Sequence, residues 1–138
     1  MTGRETFHVS VVTPEQAVLE TDAVFASFPA HDGEYGVMQG RAPLLCQLGI
    51  GVLRVDDGEK QNYLFIDQGF AQMVDNKLTI LTEQARKPSE IERAEVEEAL
   101  RHAQEEPLQG AEHMWADERL VKIRRAKIQL KVTEMDID

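Results

Sequence analysis

The chain has 138 residues, with 25 acidic and 15 basic side chains and a formal net charge of -10. That balance excludes general nucleic-acid binding, because an acidic surface repels phosphates. The length allows one domain, or a small domain with an appendage, and a single cysteine, Cys46, excludes an intrachain disulfide.

The opening Met1-Thr2-Gly3-Arg4 leads straight into a strand pattern, with neither an apolar leader nor an Arg-rich transit segment. The longest apolar runs fall short of a membrane span. A soluble protein is expected, reaching a membrane only through partners. Residues 7–83 then read as strands in close succession. Phe7, Val9 and Val11 alternate with His8, Ser10 and Val12; Thr13-Pro14-Glu15 turns into a short strand at Ala17-Val18-Leu19. Val24 to Phe28 reads as a third strand, ended by Pro29.

Gly33, Gly36 and Gly40 fall within eight residues, interleaved with Tyr35, Val37 and Met38. This is a short strand leading into a structured loop closed by Ala42-Pro43, with Glu34 and Arg41 as the charges it presents. Cys46 follows in an apolar run and reads as a small buried hydrophobe. Ile50 to Val55 is a strand, Asp56-Asp57-Gly58 a hairpin turn, and Tyr63 to Ile66 the return. Asp67-Gln68-Gly69 reads as a further turn before Phe70 to Val74, and Asp75-Asn76 as another before Leu78-Thr79-Ile80-Leu81. Turns every 8–12 residues predict a sandwich or barrel.

At Gln84 the composition changes to Ala, Glu, Arg, Lys and Leu, which favour helix. Ser89 is the expected N-cap, with Glu92 completing a capping box. Val96, Ala99, Leu100 and Ala103 form a narrow apolar stripe, and Pro107 ends the helix. Leu108-Gln109-Gly110 supplies the bend, and a second helix is expected from about Ala111 to Val132 with Trp115, Ala116, Leu120, Ile123 and Ile128 as apolar positions. The first helix is acidic; the second is basic between Arg119 and Lys131. Such a hairpin is self-complementary. Its exposed pairs are worth only ~0–1 kcal/mol each, so it either stays closed or opens at modest cost. An opened basic helix would seek an acidic partner.

The chemistry of catalysis is missing from the pattern. There is neither Gly-x-x-x-x-Gly-Lys-Ser/Thr nor Gly-x-Gly-x-x-Gly, no His pair at i,i+4, no His-x-His and no Gly-x-Ser-x-Gly. No cofactor, metal or enzymatic activity is expected.

Five pieces in order resemble the epsilon subunit of F-type ATP synthases, called delta in mitochondria. They are Val11-Val12-Thr13-Pro14-Glu15; the run from Gly33 to Leu44; Gly51-Val52-Leu53-Arg54-Val55; Gly69-Phe70-Ala71-Gln72-Met73; and Asn76-Lys77-Leu78-Thr79-Ile80-Leu81. Arg125-Ala126 and Leu130-Lys131-Val132 in the second helix fit as well. The resemblance implies a non-catalytic rotor subunit at the foot of the central stalk, coupling ion flow to ATP synthesis. It implies contact with the gamma subunit and the membrane c-ring through Glu34, Tyr35 and Arg41. It further implies a regulatory hairpin whose Lys122, Arg124, Arg125 and Lys127 meet the beta subunits of the catalytic head and inhibit ATP hydrolysis. The place implied is the cytoplasmic face of the bacterial plasma membrane.

The chain departs from the family at Gln39 and Arg41, where Pro and His are usual. Some members bind ATP at an Ile/Leu-Asp-x-x-Arg-Ala motif; the matching stretch here keeps Arg93 and Ala94, but Glu90 replaces the aspartate and Ser89 the aliphatic residue. A helix-cap role for this stretch therefore stands against nucleotide contact by Glu90 and Arg93. The expected fold is α+β: an all-β sandwich over 1–84, then an antiparallel α-helical hairpin over 85–138. The rival expectation is a stand-alone ligand-binding sandwich with a static helical cap.

Overall fold

Alternation of apolar and polar residues sets the first strand. In β1 (Phe7–Val12) every second side chain is buried, led by Phe7, Val9 and Val11. The structure, a computed structural model, describes residues 5–106 and 118–135. The strands continue with β2 (Ala17–Ala23), β3 (Phe25–Ala30), β4 (Gly33–Val37), β5 (Leu44–Asp56), β6 (Gln61–Val74), β7 (Lys77–Thr82) and β8 (Ala85–Arg86). A 3-10 turn (Pro88–Glu90) precedes helices α1 (Arg93–Glu105) and α2 (Glu118–Thr133). Contacts divide the chain into two units, Met1–Lys87 and Pro88–Asp138. The composition break at Gln84 precedes the last strand, since Ala85 and Arg86 still pair with Ile66 and Phe65.

The strands form one hydrogen-bonded sheet in the order β2-β1-β7-β6-β5-β3-β4, with β8 also on β6. Only β1 and β7 are parallel; the other pairs are antiparallel. The sheet folds over a single core as a sandwich. Phe7, Val9, Val11, Leu78 and Ile80 come from one layer, and Phe28, Val37, Leu53, Val55 and Leu64 from the other.

Two long strands serve both layers. In β6 the core-facing residues are Leu64 and Ile66 before the middle, but Ala71 and Met73 after it. The inward parity thus changes once. It changes likewise in β5, from Leu44, Cys46 and Leu48 to Leu53 and Val55. The switch in β6 is Gln68-Gly69, both left-handed, at φ 62 and 125. This corrects the expectation of a turn at Asp67-Gln68-Gly69: Leu48 still faces Gly69 and Ile50 faces Asp67, so one strand runs through with a kink. It also lengthens the strand expected at Ile50–Val55, which begins at Leu44.

Glycine is required at the kink. A Cβ on Gly69 would lie 1.9 Å from Leu81 O and 2.8 Å from Thr82 Cα. Beside it, the buried Thr82 hydroxyl accepts the Asp67 N–H at 3.2 Å. The hydroxyl lies 3.2 Å from both Asp67 O and Gln84 O, so its proton serves one of them.

Pro29 does not end β3, as the sequence suggested; the strand runs on to Ala30. Proline is tolerated because the β3–β5 register shifts between Ser27 and Ala30, where no ladder N–H is demanded. Its ring lies against Gly51, where a Cβ would approach Pro29 Cβ to 2.7 Å. At the β5–β6 turn Asp57 accepts the N–H groups of Glu59 and Lys60, each at 2.9 Å, which holds its carboxyl below the ordinary range.

The helical unit is lightly packed. Ala103 is the buried residue of α1, and Ala126 and Val132 are those of α2. Ala99, expected in the apolar stripe, is exposed, while Val96 and Leu100 are half-buried. The capping box does not form. Ser89 lies in the 3-10 turn, and Glu92 occupies the N-cap in an extended conformation without a side-chain cap hydrogen bond. The expected helix stop at Pro107, the bend at Leu108-Gln109-Gly110, and Trp115 and Ala116 of the second helix lie outside the described residues.

On the surface of β1, His8 stands between two carboxylates of β2. Its Nδ1 is 3.1 Å from Asp22 Oδ1 and its Nε2 is 3.2 Å from Glu20 Oε1. On the other side, Lys77 of β7 is its parallel register partner. Carboxylates only accept, so both contacts are satisfied at once by the imidazolium. Hydrogen bonds to Asp22 and then Glu20 raise the His8 pKa above its ordinary value of 6.5.

Two outcomes are expected. Gly69→Ala adds left-handed strain of ~1–3 kcal/mol and a backbone displacement of ~1–3 kcal/mol, so thermal unfolding should show a loss of roughly 10 °C or more. For His8, the stabilisation is complete below the unfolded-state pKa and is lost as pH rises through the elevated folded-state value. An NMR titration should therefore place His8 above 6.5 in the native chain, and Glu20→Gln/Asp22→Asn should return it toward that value and flatten this part of the stability profile.

Candidate functional site

The glycine-rich segment places its charges by strand alternation. Glu34 is exposed on β4, opposite Pro29. Tyr35, next in line, turns inward. Its ring stacks on Phe28 with centroids 6.1 Å apart, and it is half-buried against the core. Tyr35 therefore supports the strand from beneath, while Glu34 and Arg41 stand in solvent. Arg41 follows a tight turn in which its N–H donates to Met38 O at 3.3 Å, and the Met38 side chain is 60% exposed.

A second surface escaped the sequence reading. On the outer face of β5, β6 and β7, Leu45, Phe70 and Leu81 are 70%, 53% and 52% exposed. Phe70 pairs directly with Leu81, and Leu45 lies diagonal to Phe70 through the Leu45–Gln72 and Gln47–Phe70 pairs. Val12, half-buried, lies beside Leu81 on β1. The immediate neighbours on this face, Ser10, Gln47, Gln72 and Thr79, are uncharged, and the charges of the same face, Glu20, Asp22, His8 and Lys77, lie beyond them. An uncharged apolar patch on a chain of net charge -10 is the mark of a docking face. The signal was present in the sequence as apolar residues at outward positions, but assigning those positions requires the parity of each strand.

In the helical unit, ties at both ends join α1 to α2. Arg93 donates to Thr133 Oγ1 at 2.9 Å and reaches Glu134 Oε2 at 3.5 Å, while its Nε donates to Glu97 at 3.1 Å. At the other end Lys122 Nζ donates to Glu106 Oε2 at 3.1 Å, and Arg119 Nε to Glu106 O at 3.3 Å. Within α1, Arg101 pairs with Glu98 and lies 3.8 Å from Glu105. The Arg101 guanidinium lowers the Glu98 pKa. Of the four basic positions singled out on α2, Lys122 is tied to Glu106, Arg124 and Lys127 are exposed, and Arg125 is half-buried. Leu120 and Val121 add apolar exposure at the start of the same helix. Glu90 sits in the 3-10 turn, and Arg93 is already engaged by three partners.

Among the described residues, no group of three His, Cys, Asp or Glu side chains is placed to hold a metal. Cys46 is partly buried against the core, and that burial, with the Asp32 charge second, pushes its thiol pKa up, away from nucleophilic use. No described helix is long and apolar enough to cross a membrane.

Known proteins share this pattern. The family described as ATP synthase, Delta/Epsilon chain, beta-sandwich domain matches residues 6–88. An ATP synthase epsilon chain of Rhodopirellula baltica is 37% identical over 123 residues, covering 89% of this chain and 94% of the relative. One from Lawsonia intracellularis is 33% identical over 108 residues, covering 78% and 81%. Among solved structures, a chain of the Euglena gracilis mitochondrial ATP synthase, in a cryo-EM structure of OSCP, F1 and c-ring, aligns with a TM-score of 0.67 at 24% identity, covering 94% of this chain and 78% of that one. A chain from the central stalk and c-ring of the Tetrahymena thermophila mitochondrial enzyme gives 0.61 at 17% identity, covering 96% and 99%. These structures share the fold; the sandwich sequence and its close bacterial relatives establish that the chain belongs to the ATP synthase delta/epsilon family.

Proposed function

We propose that this chain is a non-catalytic rotor subunit of an F-type ATP synthase, seated in the central stalk and coupling ion passage through the membrane ring to ATP synthesis. The observation that carries the reading is the uncharged apolar face at Leu45, Phe70 and Leu81. A rotor part must transmit torque, so it needs a broad rigid seat on its neighbour rather than a cleft. The sandwich offers one, and its occupant in this reading is the gamma subunit. Glu34 and Arg41 then meet the polar loops of the c-ring, with Tyr35 bracing the strand between them. In this reading the complex sits at the bacterial plasma membrane, with this chain on the cytoplasmic face and peripheral to the bilayer.

The helical unit is the regulatory part. Among its described residues it buries few side chains, Ile91, Ala103, Ala126 and Val132, and its ends are held by ion pairs largely open to solvent. Opening it therefore costs little, and the released α2 carries Lys122, Arg124, Arg125 and Lys127 beside apolar Leu120 and Val121. That combination suits acidic surfaces of the alpha/beta head, where it would block ATP hydrolysis. Arg93 and Glu90 serve the closed hairpin in this reading, not a nucleotide.

Gel filtration of this chain with gamma from the same source tests the seat. A one-to-one complex is expected at micromolar concentration, surviving removal of residues 88–138. Phe70→Glu/Leu81→Glu should weaken it by about 30-fold or more, the loss of one hot spot of ~2 kcal/mol; no complex with the native chain would sink the assignment. For the hairpin, Arg93→Ala/Glu106→Ala removes ties worth together ~1 kcal/mol, shifting the balance about fivefold toward the open form. ATP hydrolysis by the reassembled enzyme should fall accordingly and recover when residues 88–138 are removed.

A further inference from the structure

The loop from Met38 to Pro43 carries Arg41 between β4 and β5, yet lies outside the sheet ladder. Among the described residues, one side-chain hydrogen bond reaches it. The Gly40 N–H donates to Asn76 Oδ1 at 3.0 Å, across 36 residues of sequence. Gly40 sits at φ 82, the residue immediately before Arg41. Where its amide is fixed, the direction in which the chain delivers Arg41 is fixed too.

Asn76 is held in its own right. It and Asp75 form the two-residue turn between β6 and β7, both left-handed, at φ 59 and 52. Asparagine accepts that backbone more readily than most residues. The Asn76 carbonyl meanwhile accepts the His8 N–H at 3.0 Å, which locks the turn to β1. The amide donor at Gly40 also settles which end of the Asn76 carboxamide faces it, since only the oxygen accepts. One residue thus receives the start of β1 on its main chain and the apex of the charged loop on its side chain.

We propose that Asn76 is the positioning residue of the charged loop: it anchors Gly40 and so aims Arg41 at the c-ring. The aim at the ring rests on the rotor reading given above; the anchoring does not. Bracing also explains how a six-residue connection built around a glycine can bear load. The loop is carried by the β6–β7 turn, at the end of strands that bear Phe70 and Leu81, so the two contact surfaces share one rigid support.

Two substitutions separate the side-chain role from the turn. Asn76→Gly keeps the left-handed turn and the carbonyl that receives His8, and removes the acceptor. Asn76→Asp keeps all three. The first readout is amide exchange in the full chain by NMR. Asn76→Gly should speed exchange of Gly40 by about five- to tenfold, as for one lost hydrogen bond, leaving Leu78 and Ile80 unchanged; Asn76→Asp should restore protection. The second readout is retention of the full chain and gamma on purified c-ring, where Asn76→Gly should lose about as much as Arg41→Ala and Asn76→Asp little. Unchanged Gly40 exchange in Asn76→Gly overturns the anchoring. Faster exchange with full ring retention, while Arg41→Ala loses it, overturns the aiming. If Glu34→Ala and Arg41→Ala both leave ring retention intact, the ring-facing reading itself falls, and the anchoring is then decided by the exchange result alone.

Discussion

The close passage of β6 over the end of β7 is the constraint on which the sandwich depends. Gly69 lies so near Leu81 O and Thr82 Cα that no side chain fits between them. This contact lets β6 kink without breaking, and the kink changes which residues face inward. One fourteen-residue strand can then line both layers of the core. A strand without the kink would bury Leu64 and Ile66 in one layer and turn Ala71 and Met73 to solvent in the other. The Thr82 hydroxyl, buried beside the kink, shares the Asp67 amide with the Gln84 carbonyl, each at 3.2 Å. Such a joint is rigid because its parts are backbone, and backbone contacts cannot be relieved by a rotamer change.

The two units of the chain are built to different energetic standards. The sandwich holds Phe7, Phe28, Leu53, Ile66, Met73 and Leu78 fully buried, each worth about 1.5–3 kcal/mol against exposure. Among its described residues the helical unit buries Ile91, Ala103, Ala126 and Val132, with ion pairs open to solvent at its ends. Local opening free energies follow such differences, so α2 can part from α1 while the sandwich remains intact. The proposed division of labour, a load-bearing sandwich and an occasional regulatory hairpin, rests on this asymmetry.

Much of the fold was legible in the sequence. Alternation placed β1, β7 and the β5–β6 hairpin, and the change in composition after β7 placed the helices. The misreadings share a cause. Asp67-Gln68-Gly69 has turn composition, and Pro29 has the look of a strand end, yet both lie within strands because tertiary pairing holds them there. Ser89 and Glu92 have capping spacing, but Pro88 and Glu90 fold into a 3-10 turn and move the helix start to Arg93. The residues on which the proposed contacts rest were half legible. Charge picked out Glu34, Arg41 and the basic face of α2, whereas Leu45, Phe70 and Leu81 resembled any other core aliphatics or aromatics until the register showed them facing out. Asn76 likewise looked like turn chemistry alone, since its partner Gly40 is remote in sequence.

The parallel pairing of β1 with β7 has a consequence for how the chain is made. β1 leaves the ribosome before the other strands of the sandwich, and its hairpin with β2 can close at once. Its other edge stays open until Lys77 to Leu81 have been synthesised, because His8 through Val12 pair there. Non-local pairing of this kind slows folding and leaves an edge exposed meanwhile. Apart from the two-residue β8, β7 is therefore the closing strand of the sandwich, and it comes before most of the helical unit has been translated. The sandwich can be finished, with its outer apolar face formed, while the helical unit is still emerging.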